Sequence, residues 1–226
     1  MTSTSLTAAI LAGGAATRLG GRDKGLEPIG GRPLIMWVID AIVEMMAGAD
    51  SKASASSGRR TVAASIAAEA SPPMGHADVL IVANRHLADY SRYARTICDE
   101  VTGFRGPLAG VAAALSASAT DWLLTVPVDC PEPPVDLADR LLAGALQHRS
   151  SCCTVHDGER RQPLFALYRR ELAQSAAVAA EAGWGVCQWQ ASIGARELDF
   201  SDRRRQFQNL NTPDDFAAYA KLLFAR

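Results

Sequence analysis

The stretch that most limits what this chain can become is residues 7–26, TAAILAGGAATRLGGRDKGL. An apolar run from Ala8 to Leu11 stops at the pair Gly13-Gly14. Arg18 follows, and a second pair, Gly20-Gly21, leads into Asp23-Lys24. This reads as a strand emptying into a glycine-rich loop that carries two cations. Glycines allow positive φ and let an anion reach bare N–H groups that a Cβ would cover. Arg18 offers a planar fork of donors for phosphate oxygens, and Lys24 a movable point charge. The guest this chemistry suits is a polyphosphate. No Gly-Lys-Ser/Thr is present, as a P-loop requires, and the spacing is not G-x-G-x-x-G.

The rest of the chain supplies a sheet for that loop. Val79 to Ala83 (VLIVA) and Trp122 to Val126 (WLLTV) are short continuous apolar runs, the mark of parallel strands covered on both faces. Between them, Thr96 to Cys98 reads as a short strand. Apolar residues at three- and four-residue steps (Leu34, Ile35, Val38, Ile42, Met45, Met46) predict an amphipathic helix over 34–46. Further helices are expected over 87–93, 111–117 and 134–146. Cys152 to His156, a polar turn at 157–161 and Pro163 to Tyr168 read as a hairpin. Helices over 171–181 and 186–193 and a strand near 197–200 follow. Thr212 is placed to cap a last helix opened by Pro213, with Asp214-Asp215 matching its positive end. Strand and helix alternate through residue 150, which predicts a mostly parallel α/β sheet with one antiparallel hairpin added.

Residues 47–77 break this pattern. They are rich in Ala and Ser and poor in large apolar side chains, so a flexible insertion with a weak helix over 61–70 is expected inside a single domain spanning 1–226. Composition narrows the partners. With 48% hydrophobic residues the chain can bury a full core, and 23 basic against 24 acidic residues leave no field for nucleic acid. The apolar run near the N-terminus is far shorter than the ~20 residues of a membrane span, and no basic leader precedes it. A soluble, cytoplasmic protein is expected. The five cysteines form no C-x-x-C and read as buried free thiols.

Ligands of such sheets sit outside the carboxyl ends of the strands. Arg18, Lys24, Asp99 and Asp129 fall there and should converge on one crevice. A triphosphate needs a carboxylate for its metal, and Mg²⁺ keeps oxygen ligands and several waters, so one aspartate plus phosphate oxygens suffices. Asp129, between Pro127 and Pro131, is the first candidate and Asp99 the second. His156 stands in the polar turn beside Asp157 and Arg160; the other histidines read as surface residues. No nucleophilic Ser or Cys set is present, and nucleotidyl transfer does not need one.

In order, LAGGAATRLGGRDKGL, GRPL, VANRH, GPLAG, PVDCP, HDGERRQPLFALYRREL and NLNTPDD resemble the molybdenum cofactor guanylyltransferases. The likeness covers residues 7–222 apart from 47–77, and HDGERRQP is its most specific part. It implies a three-layer Rossmann-like fold, GTP as co-substrate with Mg²⁺, and GMP transfer to the terminal phosphate of molybdopterin with release of pyrophosphate. It also implies that Leu11, Ala12, Gly13, Gly14 and Asp99 bind the nucleotide and that Arg18 and Lys24 bind its phosphates. Asp129 would hold both GTP and Mg²⁺, and Pro107 and Leu108 would enclose the guanine. Asp157, Gly158, Arg160, Arg161, Asn209 and Asn211 would face the pterin. The family carries a guanine-side Asn where this chain has Val82, leaving the base to Asp99 and the backbone. The expected partners are GTP, molybdopterin, molybdenum-insertion proteins and molybdoenzyme chaperones. The rival within the same chemistry is cytidylyl transfer to molybdopterin or another phosphate acceptor. The rival from another class is a non-catalytic carrier of the cofactor.

Overall fold

The computed structural model describes residues 5–13, 23–51, 79–99 and 106–224. Gly14, Arg18 and the helix expected over 61–70 lie outside them. Seven strands form one sheet: β1 (Leu6–Leu11), β4 (Val79–Val82), β5 (Arg95–Ile97), β6 (Trp122–Pro127), β7 (Cys152–His156), β8 (Arg161–Arg169) and β9 (Arg196–Asp199), in the order β5-β4-β1-β6-β8-β7-β9. β5, β4, β1 and β6 are parallel. β8 runs antiparallel to β6 and β7, and β9 runs parallel to β7. The expected hairpin is thus β7-β8, inserted in reverse order so that its return strand pairs with the parallel block. A separate two-residue ribbon, β2 (Pro28–Ile29) with β3 (Arg32–Pro33), makes the turn before the first helix.

Alternate residues along each strand face opposite layers, as the two-residue period of a strand dictates. Ala8 and Ile10 of β1, Ile81, Leu124 and Val126 pack under α1 (Leu34–Ser51) and α4 (Leu137–His148). Ala9, Leu80, Val82 and Leu123 pack under α3 (Pro107–Ala117), α5 (Ala173–Glu181) and α6 (Val186–Ser192). This is a three-layer α/β/α arrangement. The α1 residues Leu34, Ile35, Val38, Ile42 and Met45 are all buried, as their spacing predicts. Each such apolar side chain stabilises the fold by about 2 kcal/mol.

The departures have local causes. α1 continues to Ser51, five residues into the stretch expected to leave the fold, and α4 begins at Leu137 because Pro134 to Leu137 form a turn ahead of it. The helix expected over 87–93 is only α2 (Leu87–Tyr90), entered through His86 in the left-handed region and followed by turns. β8 is bulged. The register jumps from Thr154↔Ala166 to Val155↔Gln162, which parks Pro163 where no ladder N–H is needed. The Gln190 amide donates to the Pro163 carbonyl at 2.8 Å and to the Tyr168 hydroxyl at 2.6 Å, pinning that bulge from α6. α7 (Pro213–Phe224) is capped as expected: Thr212 Oγ1 accepts from the Asp215 N–H at 3.2 Å, and the Asp215 carboxylate accepts from the N–H groups of Asn211 and Thr212. Burial as expected holds for Cys130, Cys152 and Cys153, whereas Cys98 and Cys187 are exposed because they lie at a strand end and on the outer face of α6; all five are free.

Candidate active site

The four parallel strands end flush. Leu11 pairs with Val82 and with Pro127, and Val82 pairs with Ile97. Two residues beyond each registered end stand Gly13, Asn84, Asp99 and Asp129. Hydrogen bonds from Ala12 N to the Val82 carbonyl (2.8 Å), Ala83 N to the Ile97 carbonyl (2.9 Å) and Val128 N to the Leu11 carbonyl (3.2 Å) carry the register past the strand ends. β7 also points its carboxyl end to this edge, so the Asp157 turn and Arg161, at the start of the reversed β8, share it.

On one flank, the Asn84 amide donates to Asp99 Oδ2 at 2.6 Å, and the Asp99 N–H donates to Asn84 Oδ1 at 3.2 Å. Asn84 Nδ2 lies 3.6 Å from where a Cβ on Gly13 would stand, so bare backbone faces the amide there. Leu11 is half-buried and Ala12 buried behind it. Pro107 opens α3 and is exposed, while Leu108 is fully buried in the layer beneath. Val82 is buried against α3, its Cγ1 only 3.2 Å from the Cβ position of Gly110, so its side chain belongs to the core. The polar residue at the end of β4 is Asn84. Asn84, within VANRH, carries no charge to mark it as a ligand, although its place two residues past a buried run matches those of Asp99 and Asp129.

On the other flank, Lys24 Nζ donates to Asp129 Oδ2 at 3.3 Å and to Asn211 Oδ1 at 2.6 Å. Asp129 Oδ1 is buried and has no hydrogen-bond partner among the described residues; the same holds for Asn209 Oδ1. The Asp129 carbonyl accepts from the Leu210 N–H at 2.8 Å, which ties the Asn209-Leu210-Asn211 strip to it. Both asparagines expected toward the pterin therefore lie along Asp129. A buried carboxylate oxygen without a donor is costly unless a cation completes it, and a hard oxygen donor suits Mg²⁺. No group of three or more metal-ligating side chains gathers among the described residues. From Asp99 to Asp129 the edge spans three strand spacings, roughly 14 Å.

The Asp157 turn follows, two strand positions further on. Gly158 sits at φ +93, and a Cβ there would meet the Ser201 side chain at 2.8 Å, so the turn requires glycine. Asp157 Oδ1 accepts from the N–H groups of Glu159 (2.9 Å) and Arg160 (2.8 Å), and Oδ2 from the Gln162 amide (2.6 Å). Its carboxylate is consumed by the turn's own shape. Arg160 is exposed, Arg161 pairs with Glu197 at 3.2 Å, and Glu159 pairs with Arg204. His156 Nδ1 accepts from the Gly158 N–H at 3.2 Å. Burial pushes the Cys130 and Cys152 thiols well above their ordinary range and Cys153 up to about 11, so none of them is a ready thiolate nucleophile.

Burial alone would raise the Asp157 carboxyl, but the Arg160 N–H, the Gln162 amide and the Glu159 N–H outweigh it and hold it below the usual value. A group depressed in this way contributes stability that is fully present above its unfolded pKa of about 3.9 and is lost as pH falls through the folded value. Asp157→Ala is expected to destabilise by about 2 kcal/mol at neutral pH by orphaning the turn's donors. The gap to the parent should close below about pH 4, which thermal melts across that range would measure.

A lysine and a carboxylate with a spare oxygen, at the carboxyl edge of a mostly parallel sheet, are what a nucleoside triphosphate and its metal require. The class so defined is a nucleotide-binding α/β transferase. Residues 8–192 match the MobA-like NTP transferase domain. A molybdenum cofactor guanylyltransferase of Vibrio cholerae is 35% identical over 94% of this chain and 90% of its own. One from Shewanella baltica is 35% identical over 94% of both chains. Among solved structures, molybdopterin-guanine dinucleotide biosynthesis protein A of Archaeoglobus fulgidus superposes with a TM-score of 0.69 at 19% identity, covering 97% of this chain and all of that one. The chain belongs to the MobA-like NTP transferase family and is a nucleotidyltransferase.

Proposed function

We propose that this protein transfers GMP from GTP to the terminal phosphate of molybdopterin, releasing pyrophosphate and forming the guanine dinucleotide of the molybdenum cofactor. The observation that carries the reading is the pairing of Lys24 with an Asp129 whose second oxygen is buried and without a partner among the described residues. The similarity to guanylyltransferases along nearly the whole chain supplies the substrates.

The edge suggests an order for the parts. The guanine lies toward Asp99 and Asn84 with Pro107 beside it, while Leu108, expected there too, is fully buried behind Pro107 in the core. The sugar crosses bare backbone at Gly13. The phosphates reach Lys24, and the pterin phosphate enters from the side of Arg160, Arg161 and the Asp157–Gly158 turn. An oxygen of the anionic pterin phosphate forms a bond to the α-phosphorus of GTP. The bond from that phosphorus to the bridging oxygen breaks, its electron pair leaving with pyrophosphate. The attacking phosphate is already ionised, so no side chain has to take a proton. Lys24, with Arg18 from the glycine loop, stabilises charge building on the phosphoryl oxygens. Asn211 holds the Lys24 ammonium toward Asp129 until phosphate oxygens replace it. Mg²⁺, held by Asp129 and the substrate's oxygens, would neutralise the leaving pyrophosphate.

No helix among the described residues is long and apolar enough to cross a membrane, and a GTP-consuming reaction fits the proposed cytoplasmic setting. Pyrophosphate release is to be measured with molybdopterin, Mg²⁺ and each of the four nucleoside triphosphates. GTP is expected to turn over at least tenfold faster than CTP. Preference for CTP would establish the cytidylyl reading, and no release with any of them would establish a carrier.

A further inference from the structure

We propose that Tyr90 is a positioning residue for Lys24, acting through Asp23 from the connection that follows β4. The inference rests on Lys24 being the phosphate-facing cation, as read above. Tyr90 ends α2, is fully buried, and donates its hydroxyl hydrogen to Asp23 Oδ1. The same oxygen accepts from the Gly25 N–H at 3.1 Å, so Asp23 caps the 3-10 turn of Lys24–Leu26. Lys24 is thus flanked by two residues tied to one carboxylate oxygen, and that oxygen is tied to Tyr90, 67 residues along the chain from Asp23.

The fit leaves no slack. A Cβ on Gly25 would stand 2.3 Å from the Tyr90 hydroxyl oxygen and 3.0 Å from Val128 Cγ2. Gly25 is buried without positive φ, so its lack of a side chain serves this close approach of backbone to tyrosine. Val128 is the neighbour of Asp129, so the turn is wedged between Tyr90 and the strand end that carries the carboxylate. Burial first, and then the Asp23 carboxylate, raise the Tyr90 hydroxyl far above its ordinary range, while Arg85 opposes them. The hydroxyl remains a donor at every physiological pH. The lysine stem has four rotatable bonds, so the placement of its ammonium depends on a fixed Cα. A displacement of about 1 Å at such a group can cost on the order of a hundredfold in rate. β4 leads directly into α2, so the same connection that carries Asn84 to the Asp99 flank also braces the Lys24 flank.

The test is a double-mutant cycle on the full chain. Turnover and the dissociation constant for Mg²⁺-GTP are measured for Tyr90→Phe, Lys24→Met and the pair, with thermal midpoints as a check on folding. Tyr90→Phe keeps the buried ring and is expected to lower kcat about tenfold with less than a threefold change in KM, a loss that largely vanishes in the Lys24→Met background. An equal loss in both backgrounds, in rate or in affinity, means a general structural role and overturns the proposal. Full activity of Lys24→Met alone would instead overturn the reading of Lys24 on which it rests. A second pair covers failure of Tyr90→Phe to fold. Asp23→Asn keeps an acceptor for both donors and should stay within threefold of the parent, whereas Asp23→Ala should fall about tenfold. Equal activities of those two variants would also overturn it.

Discussion

Asp129→Asn is expected to lower GMP transfer by 10²–10³-fold, about 3–4 kcal/mol of barrier, while leaving the fold intact. The substitution is isosteric and keeps an oxygen for Lys24, which now donates to Oδ2 at 3.3 Å. What it removes is the charge and the second oxygen, which is buried without a partner among the described residues. An amide nitrogen at that place is a donor and cannot hold a cation. The stability outcome has the opposite sign to the activity outcome. A buried carboxylate oxygen without a donor among the described residues is a penalty that offsets what the Lys24 contact at the other oxygen contributes, so the asparagine variant should melt at the same temperature as the parent or above it. Thermal melts without nucleotide, followed by pyrophosphate release over a Mg²⁺ titration, check both halves. Activity within threefold of the parent at saturating Mg²⁺ would remove Asp129 from the metal role. A lowered melting temperature would mean that the oxygen has a structural task of its own.

The same residues show what a one-dimensional reading can reach. Continuous apolar runs such as VLIV and WLLTV announce buried parallel strands because both faces must be covered, and β4 and β6 are those strands. The cap of α7 was legible because Thr212, Pro213 and Asp215 act on backbone within four residues of themselves. Asp129 was legible from its place after a strand between two prolines. Asn84 held an equivalent place but carries no charge, and its pairing with Asp99 exists only because β4 and β5 are neighbours. The Tyr90 hydroxyl was invisible for a stronger reason. Its ring looks like any apolar helix position, and its partner lies across a long intervening stretch of chain. Asn209 and Asn211 are expected toward the pterin from the resemblance, yet their position along Asp129 depends on where the chain after β9 crosses the sheet edge. The β8 bulge escaped because Pro163 reads as a strand start, when it lies within a longer strand held by Gln190 and Thr125.

Lys24→Ala is the second large expectation: a loss of about a hundredfold in turnover, roughly 3 kcal/mol, with folding preserved. The half-buried ammonium bridges Asp129 and Asn211. Its removal leaves the Asn211 oxygen and a second Asp129 oxygen without their donor, a cost of about 1–2 kcal/mol in stability that a melt can register. The kinetic effect separates two roles. If Lys24 only holds the ground-state phosphates, KM for GTP rises and kcat stays near the parent's. If it meets charge that grows as pyrophosphate departs, kcat falls with kcat/KM and KM changes little. The second pattern is expected, because the lysine has partners of its own that hold it near the carboxylate, so ground-state phosphates gain only an exchange of contacts. Lys24→Arg sharpens the distinction. A guanidinium keeps the charge but presents a planar fork where one ammonium is held between Asp129 and Asn211, and it should recover affinity for GTP without recovering the rate. Recovery of both by arginine would show that charge alone, and not the placement set by the Asp23 turn, is what the reaction draws from this residue.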